Sequence, residues 1–182
     1  MARIPYPDPA VQSEEIRDRL QRTGSLNITR MMSHAEGLML AYSRMGTQIL
    51  LRGTLDPVLR ELVILRIGQL CDSDYEWHQH VSVAKAVGMD DAMLEAVADK
   101  AFDRLPEKER VVIAVAEEIR RAGAVGDETF ARARTMFSPN ELVELVITAG
   151  YYVMTAGFLR SFAIEIEDTP PLGDTMAATR SG

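Results

Sequence analysis

Cysteine is almost missing from this chain, with one residue, Cys71, among 182. A single thiol excludes an internal disulfide and any Cys-x-x-Cys redox or zinc site, and it fits a reducing compartment. Basic residues are scarce too: 20 Lys and Arg stand against 27 Asp and Glu, a formal net charge of -7. An acidic chain repels a phosphate backbone, so no nucleic-acid partner is expected, and any anionic ligand must be gathered by a local site. The opening Met1-Ala2-Arg3-Ile4-Pro5-Tyr6-Pro7 lacks the apolar core of a secretory leader. Charges interrupt the apolar stretches before they reach a membrane span. The expectation is a cytoplasmic protein with no membrane partner. No run of alternating residues argues for a sheet.

What is present is helical punctuation. The length suits one domain with a sizeable core, read as an extended arm over residues 1–10, one helical domain over 11–166 and a flexible tail over 167–182. Polar residues from Ser13 open a short helix to about Arg22, and a second runs from about 35 to 51 before Gly53. Asp56-Pro57 is a cap followed by proline in the first turn, starting a helix to about Cys71. Ser73 and Glu76 carry the spacing of a capping box, and so do Ser138 and Glu141. Gly88 ends one helix, Asp90 opens a short one, Pro106 opens another toward Gly123, and Asp127 caps one to about Phe137. The last helix is expected to run from 138 to about 166. Stretches 58–70, 111–119 and 142–162 are apolar nearly all round, as in helices buried in a core or between subunits. The fold class is therefore all-α.

Polar residues concentrate between 61 and 80. Ser73, Glu76 and His80 are spaced three and four apart, which places them on one helix face. Glu61 sits among Leu62, Val63, Ile64 and Leu65, company in which a carboxylate needs a polar partner or a gap to water. Helices joined at 72–74 pack as antiparallel neighbours, so Glu61 can approach His80. An acid, a histidine and a second acid form a group able to move a proton without a cofactor. The blander alternatives stay open: a plain capping box for Ser73 and Glu76, an ion pair for Glu61 with Arg60 or another arginine, a satisfied interior histidine for His80, and packing for Cys71. A metal held by Glu61, Glu76 and His80 is a partial ligand set and is not assigned.

Three segments make the chain recognisable: Arg60-Glu61-Leu62-Val63-Ile64-Leu65-Arg66, Tyr75-Glu76-Trp77-His78-Gln79-His80 and Ala84-Lys85-Ala86-Val87-Gly88-Met89. Leu51-Arg52-Gly53-Thr54-Leu55-Asp56-Pro57 precedes them, and Glu141-Leu142-Val143-Glu144-Leu145-Val146 and Tyr151-Tyr152-Val153-Met154-Thr155-Ala156-Gly157-Phe158-Leu159 follow. In that order, over residues 28 to 166, they resemble the carboxymuconolactone decarboxylase family. The resemblance implies an AhpD-like all-helical fold that forms homotrimers or homohexamers, with the site near subunit contacts. The alkylhydroperoxidase branch of that family carries a glutamate, a Cys-x-x-Cys pair and a histidine four residues later. Here Glu61 and His80 match the outer positions, while Ser73 and Glu76 stand where the cysteines would be. Cys71 is out of register by two. A dithiol must cycle through a disulfide to reduce a peroxide; serine and glutamate cannot, so this is not a dithiol peroxidase.

What remains resembles the decarboxylase branch, which removes carbon dioxide from a carboxylated muconolactone during aromatic-compound degradation without a cofactor. The resemblance implies a small carboxylated substrate and His80 as proton donor, oriented by Glu61 or Glu76. Ser73 would donate a hydrogen bond, and Tyr75, Tyr151 and Tyr152 would wall the pocket. Arg66 and Arg160 could bind a substrate carboxylate but are read as structural pairs. Two alternatives stand beside this lyase: a stress enzyme that consumes peroxide through Cys71, and a non-catalytic helical oligomer on the same scaffold.

Overall fold

A computed structural model describes residues 1–22, 24–169 and 171–173, all helix, turn and loop with no strand among them. The order is α1 (Glu14–Arg22), α2 (Asn27–Met32), α3 (Glu36–Thr47), α4 (Pro57–Leu70), α5 (Asp74–Val87), α6 (Asp91–Ala98), α7 (Glu107–Ala122), α8 (Asp127–Met136) and α9 (Pro139–Phe162).

The centre of the fold is α4, which packs against α5, α7 and α9. Its residues Leu59 to Gly68 are buried without interruption, two arginines and a glutamate included. A helix with apolar residues on every side has no solvent face to present, so its neighbours surround it. Asp56 starts it as expected, its Oδ1 accepting from Val58 and Leu59 N–H at 2.9 and 3.2 Å. The turn to α5 is short: Asp72 takes φ +48° and Ser73 N–H returns to Gly68 carbonyl at 2.9 Å. Gly88, at φ +103°, ends α5 in the left-handed conformation that glycine adopts without a Cβ penalty. Where α3 crosses α9, a Cβ on Gly46 would stand 2.9 Å from the Tyr151 hydroxyl, so glycine permits the approach.

The helix expected from 35 to 51 forms, running as α-helix over Glu36–Thr47 and continuing as a π-helix over Gln48–Arg52 to the expected stop at Gly53. Several expectations need correcting. Gly126, not Asp127, is the cap residue of α8. The last helix stops at Phe162, where Ala163 turns left-handed at φ +50°. Helix α2 was not foreseen; Leu26 offers no side-chain cap, and the N–H of Asn27 is instead taken by the Glu167 carboxylate, far along the chain. α9 is also long and apolar enough to cross a membrane by length and composition, because no charge falls between Glu144 and Arg160; half of that stretch is buried in the fold, as in a core helix. Of the segment expected to be a tail, Glu167 also accepts from the Tyr75 hydroxyl and from Gln79 Nε2, and Leu172 N–H donates to Gln79 Oε1 at 2.7 Å; residues 174–182 lie outside the described residues.

Candidate active site

Two helices carry the site. From the second turn of α4, Glu61 projects toward α5 and is fully buried. Its Oε2 lies 2.7 Å from His80 Nδ1, and its Oε1 accepts from Arg60 Nε at 2.9 Å. Arg60 and His80 are themselves 5% and 6% exposed, so the three form a closed buried chain. One carboxylate serves both neighbours because consecutive residues Arg60 and Glu61 flank the α4–α5 contact. With Nδ1 engaged, Nε2 is the ring nitrogen His80 can offer elsewhere, and it has no hydrogen-bond partner among the described residues. The edge of Tyr152 meets the His80 ring at 4.9 Å between centroids.

Glu76 is the opposite case. It is 2% exposed, and neither carboxylate oxygen has a hydrogen-bond partner. Burial pushes its pKa from an ordinary 4.5 up to about 8, while the nearby Ser73 hydroxyl pulls the other way. The capping box expected of this pair does not form: Ser73 makes no side-chain cap, and its own hydroxyl is buried without a partner. The backbone explains why. Ser73 N–H, the donor a capping glutamate would reach back to, is already spent on Gly68.

Glu76 and His80 line one cavity of about 400 Å3, together with Tyr42, Tyr75, Tyr151 and Tyr152, a size within the usual range for small-ligand sites. The structure thus brings together Glu76, His80 and the three expected tyrosines. Glu61 stands behind His80, off the cavity wall, and Ser73 does not line the cavity either. Of the two carboxylates expected to orient His80, Glu61 makes the contact. Burial holds the phenols of Tyr42, Tyr75, Tyr151 and Tyr152 above their usual pKa, so they act as neutral hydrogen-bonding groups. Tyr42 was missed by the sequence reading. It stacks on Tyr151 at 4.8 Å, and its place on α3 gave no signal of that. Arg66 is paired with Glu117 at 2.6 Å, and Arg160 Nη1 donates to the Cys71 carbonyl at 2.8 Å. Cys71 is 5% exposed and does not line the cavity; burial raises its thiol pKa, against the lowering pull of Arg120. Among the described residues no three of His, Cys, Asp and Glu converge as a metal-ligand set.

The sequence pattern of the carboxymuconolactone decarboxylase family matches residues 36–118, from α3 through most of α7. That stretch, which holds Arg60, Glu61, Glu76 and His80, is similar to that family. A search of curated proteins found no match. Solved structures share the fold at low identity. An uncharacterised peroxidase-related protein with an AhpD core from Ralstonia eutropha JMP134 superposes with a TM-score of 0.81 at 16% identity, over 92% of this chain and 93% of that one. An uncharacterised peroxidase-related protein from Silicibacter sp. TM1040 gives 0.78 at 15%, over 91% of each chain. A variant of the debrominase Bmp8, in complex with 2,3,4-tribromopyrrole, gives 0.75 at 15%, over 100% of each chain. The fold is AhpD-like, and proteins sharing it carry more than one chemistry in their names; a scaffold does not fix a reaction.

Proposed function

We propose that the chain is a cofactor-independent lyase of the decarboxylase type, acting on a small carboxylated ring compound such as a lactone. The observation that carries this is Glu76: a buried acid, unpartnered, facing a ligand-sized cavity and holding its proton to about pH 8. Nothing in the fold's own packing uses that carboxyl group. An acid loaded at neutral pH beside an oriented histidine is the arrangement that splits proton-transfer roles between two groups.

In the reaction, the bond between ring carbon and carboxylate breaks and carbon dioxide leaves. The electron pair moves into the conjugated system as a dienolate. A proton from Glu76 completes the new carbon–hydrogen bond, leaving Glu76 as a carboxylate. His80, four residues on along the same face and with its Nδ1–H on Glu61, takes a proton from water at Nε2 and passes it to the Glu76 carboxylate, which resets the acid. The phenol of Tyr152, which lines the cavity, hydrogen-bonds the dienolate oxygen as charge develops there, while the O–H groups of Tyr42, Tyr75 and Tyr151 are spent on Thr155, Glu167 and the Tyr42 carbonyl. His80 thereby keeps the donor role expected of it, one step behind Glu76.

The peroxide reading through Cys71 has less support. A reactive cysteine needs an accessible thiolate, and this thiol is buried, raised in pKa and off the cavity.

The test is carbon dioxide release and ultraviolet loss on carboxymuconolactone and a panel of related lactones and keto acids. Glu76→Gln and His80→Ala should each lower kcat by about 100-fold or more, the usual weight of a positioned acid or base, with the fold intact. Turnover should fall as pH rises through about 8, where Glu76 loses its proton. Turnover that survives both substitutions, or a panel on which the wild type is inert, overturns the assignment.

A further inference from the structure

Beyond α9 the chain returns to the cavity and is fastened there at three points. The first is Glu167. Its carboxylate accepts from the N–H of Asn27, the Tyr75 hydroxyl and Gln79 Nε2, so one side chain ties the segment to the start of α2 and to α5. The second is Gln79, which is 3% exposed and lines the cavity. Both ends of its amide are spent on this segment. Nε2 donates to Glu167 at 2.8 Å, and Oε1 accepts from the N–H of Leu172 at 2.7 Å. A buried amide with donor and acceptor both engaged holds its two partners in fixed places.

The third point is Gly173. It is buried, and its N–H donates to Ser82 Oγ at 3.0 Å. A Cβ at this position would run into the backbone of Ser82 and Val83, so glycine alone lets the chain lie this close to α5. Gly173 does not line the cavity, but Leu172 beside it does. Among the described residues after α9, Leu172 is the one that reaches the cavity. The rest of the wall comes from α1, α3, α5, α9 and the chain around the start of α2. Leu172 is held mainly by side chains of α5, and a segment fastened in that way opens at lower free energy than a packed helix.

We propose that Leu172 determines the size of ligand the cavity admits, and that Gly173 positions it by docking on α5. The proposal rests on reading this cavity as the substrate site. Leu172 is the wall that limits how far a ring compound can extend while its reacting end lies against Glu76 and His80. A hydrophobic wall discriminates by bulk: each methylene added or removed there changes the preference between a small and a large ligand by about 10-fold or more.

The experiment is titration calorimetry of the full chain with benzoate and 9-anthroate, aromatic carboxylates of one and three fused rings. The readout is the ratio of their affinities, which a general loss of stability does not move. Leu172→Ala should shift that ratio by about 10-fold toward 9-anthroate, and Leu172→Trp should shift it by about 10-fold toward benzoate. Gly173→Ala adds one methyl group away from the cavity, yet it should move the ratio in the same direction as Leu172→Ala, because the docked position is lost. Ser82→Ala, which removes the acceptor of the Gly173 N–H, repeats that test should Gly173→Ala fail to fold. A ratio that both Leu172 variants leave in place overturns the proposal. So does a ratio that responds to Leu172 but to neither Gly173→Ala nor Ser82→Ala, and so does a wild type that binds neither compound at millimolar concentration. Binding is read here rather than turnover, so failure leaves the roles of Glu76 and His80 untouched, and a chain inert on the lactone panel still has a ratio to measure.

Discussion

The Ser-x-x-Glu signature stands at the start of α5 and again at the start of α9, and these two copies have opposite fates. Ser138 and Glu141 form the capping box at the start of α9: Ser138 Oγ accepts from Glu141 N–H at 3.3 Å, and Glu141 Oε2 accepts from Ser138 N–H at 2.7 Å. Those bonds, the backbone one foremost, hold the Glu141 carboxyl below its usual pKa. Ser73 and Glu76, at the start of α5, make neither bond and are both buried. The difference lies upstream. Phe137, before Ser138, is extended at φ -125° and ψ 142°, so Ser138 N–H arrives unspent. Before Ser73 the chain has just left α4 through a left-handed Asp72, and the closing turn takes Ser73 N–H for Gly68. A motif is therefore a statement about donors left over, and a tight helix-to-helix turn leaves none. The glutamate freed in this way faces the cavity.

The largest test of this contrast is stability against pH. Between pH 4.5 and about 8 the folded chain keeps a proton on Glu76 that the unfolded chain has lost. The folded state then binds more protons, so stability falls by about 1.4 kcal/mol per pH unit across that window from this group alone. Below 4.5 both states are protonated and the penalty is absent; above about 8 both are ionised and the loss levels off. Glu76→Gln keeps the shape of the neutral acid without its titration. In urea melts it should be more stable than wild type by about 3–5 kcal/mol at pH 9 and close to it at pH 4.5. Glu141→Gln should show the reverse sign at pH 7, a loss of about 1 kcal/mol or less. A Glu76→Gln chain with no gain at pH 9 would mean the carboxyl finds a partner in solution.

Next in size is Glu61→Gln. Glu61 is as buried as Glu76, but both of its oxygens are used, by Arg60 and His80. Removing its charge leaves the Arg60 guanidinium uncompensated in the interior, which costs about 3 kcal/mol or more. Two glutamate-to-glutamine changes one helix apart should therefore move urea midpoints in opposite directions at pH 9. Equal signs would sink the distinction between a paired and an unpaired acid.

The sequence made some of this legible because some signals are local. The caps at Asp56 and Ser138 depend on three or four consecutive residues. The approach of Glu61 to His80 follows from a short connection between two helices, which forces antiparallel packing. Other features depend on partners far away. Helix α2 starts at a backbone N–H satisfied by Glu167, some 140 positions later, so no local pattern announces it. Tyr42 reaches the cavity through its stack on Tyr151. Glu76 was singled out for its spacing to His80, yet its isolation from any hydrogen bond follows from a turn whose geometry four letters do not encode.

The smallest effect is the sharpest comparison of the pair. Ser138→Ala removes a side-chain cap that is made, and should cost about 1 kcal/mol, a fall in Tm of about 2–4 °C for a chain of this size. Ser73→Ala removes a buried hydroxyl that has no partner. No hydrogen bond is lost and one desolvated polar group disappears, so Tm should hold or rise by a degree or so. A capping role for Ser73 would give the opposite result, a loss of stability matching that of Ser138→Ala.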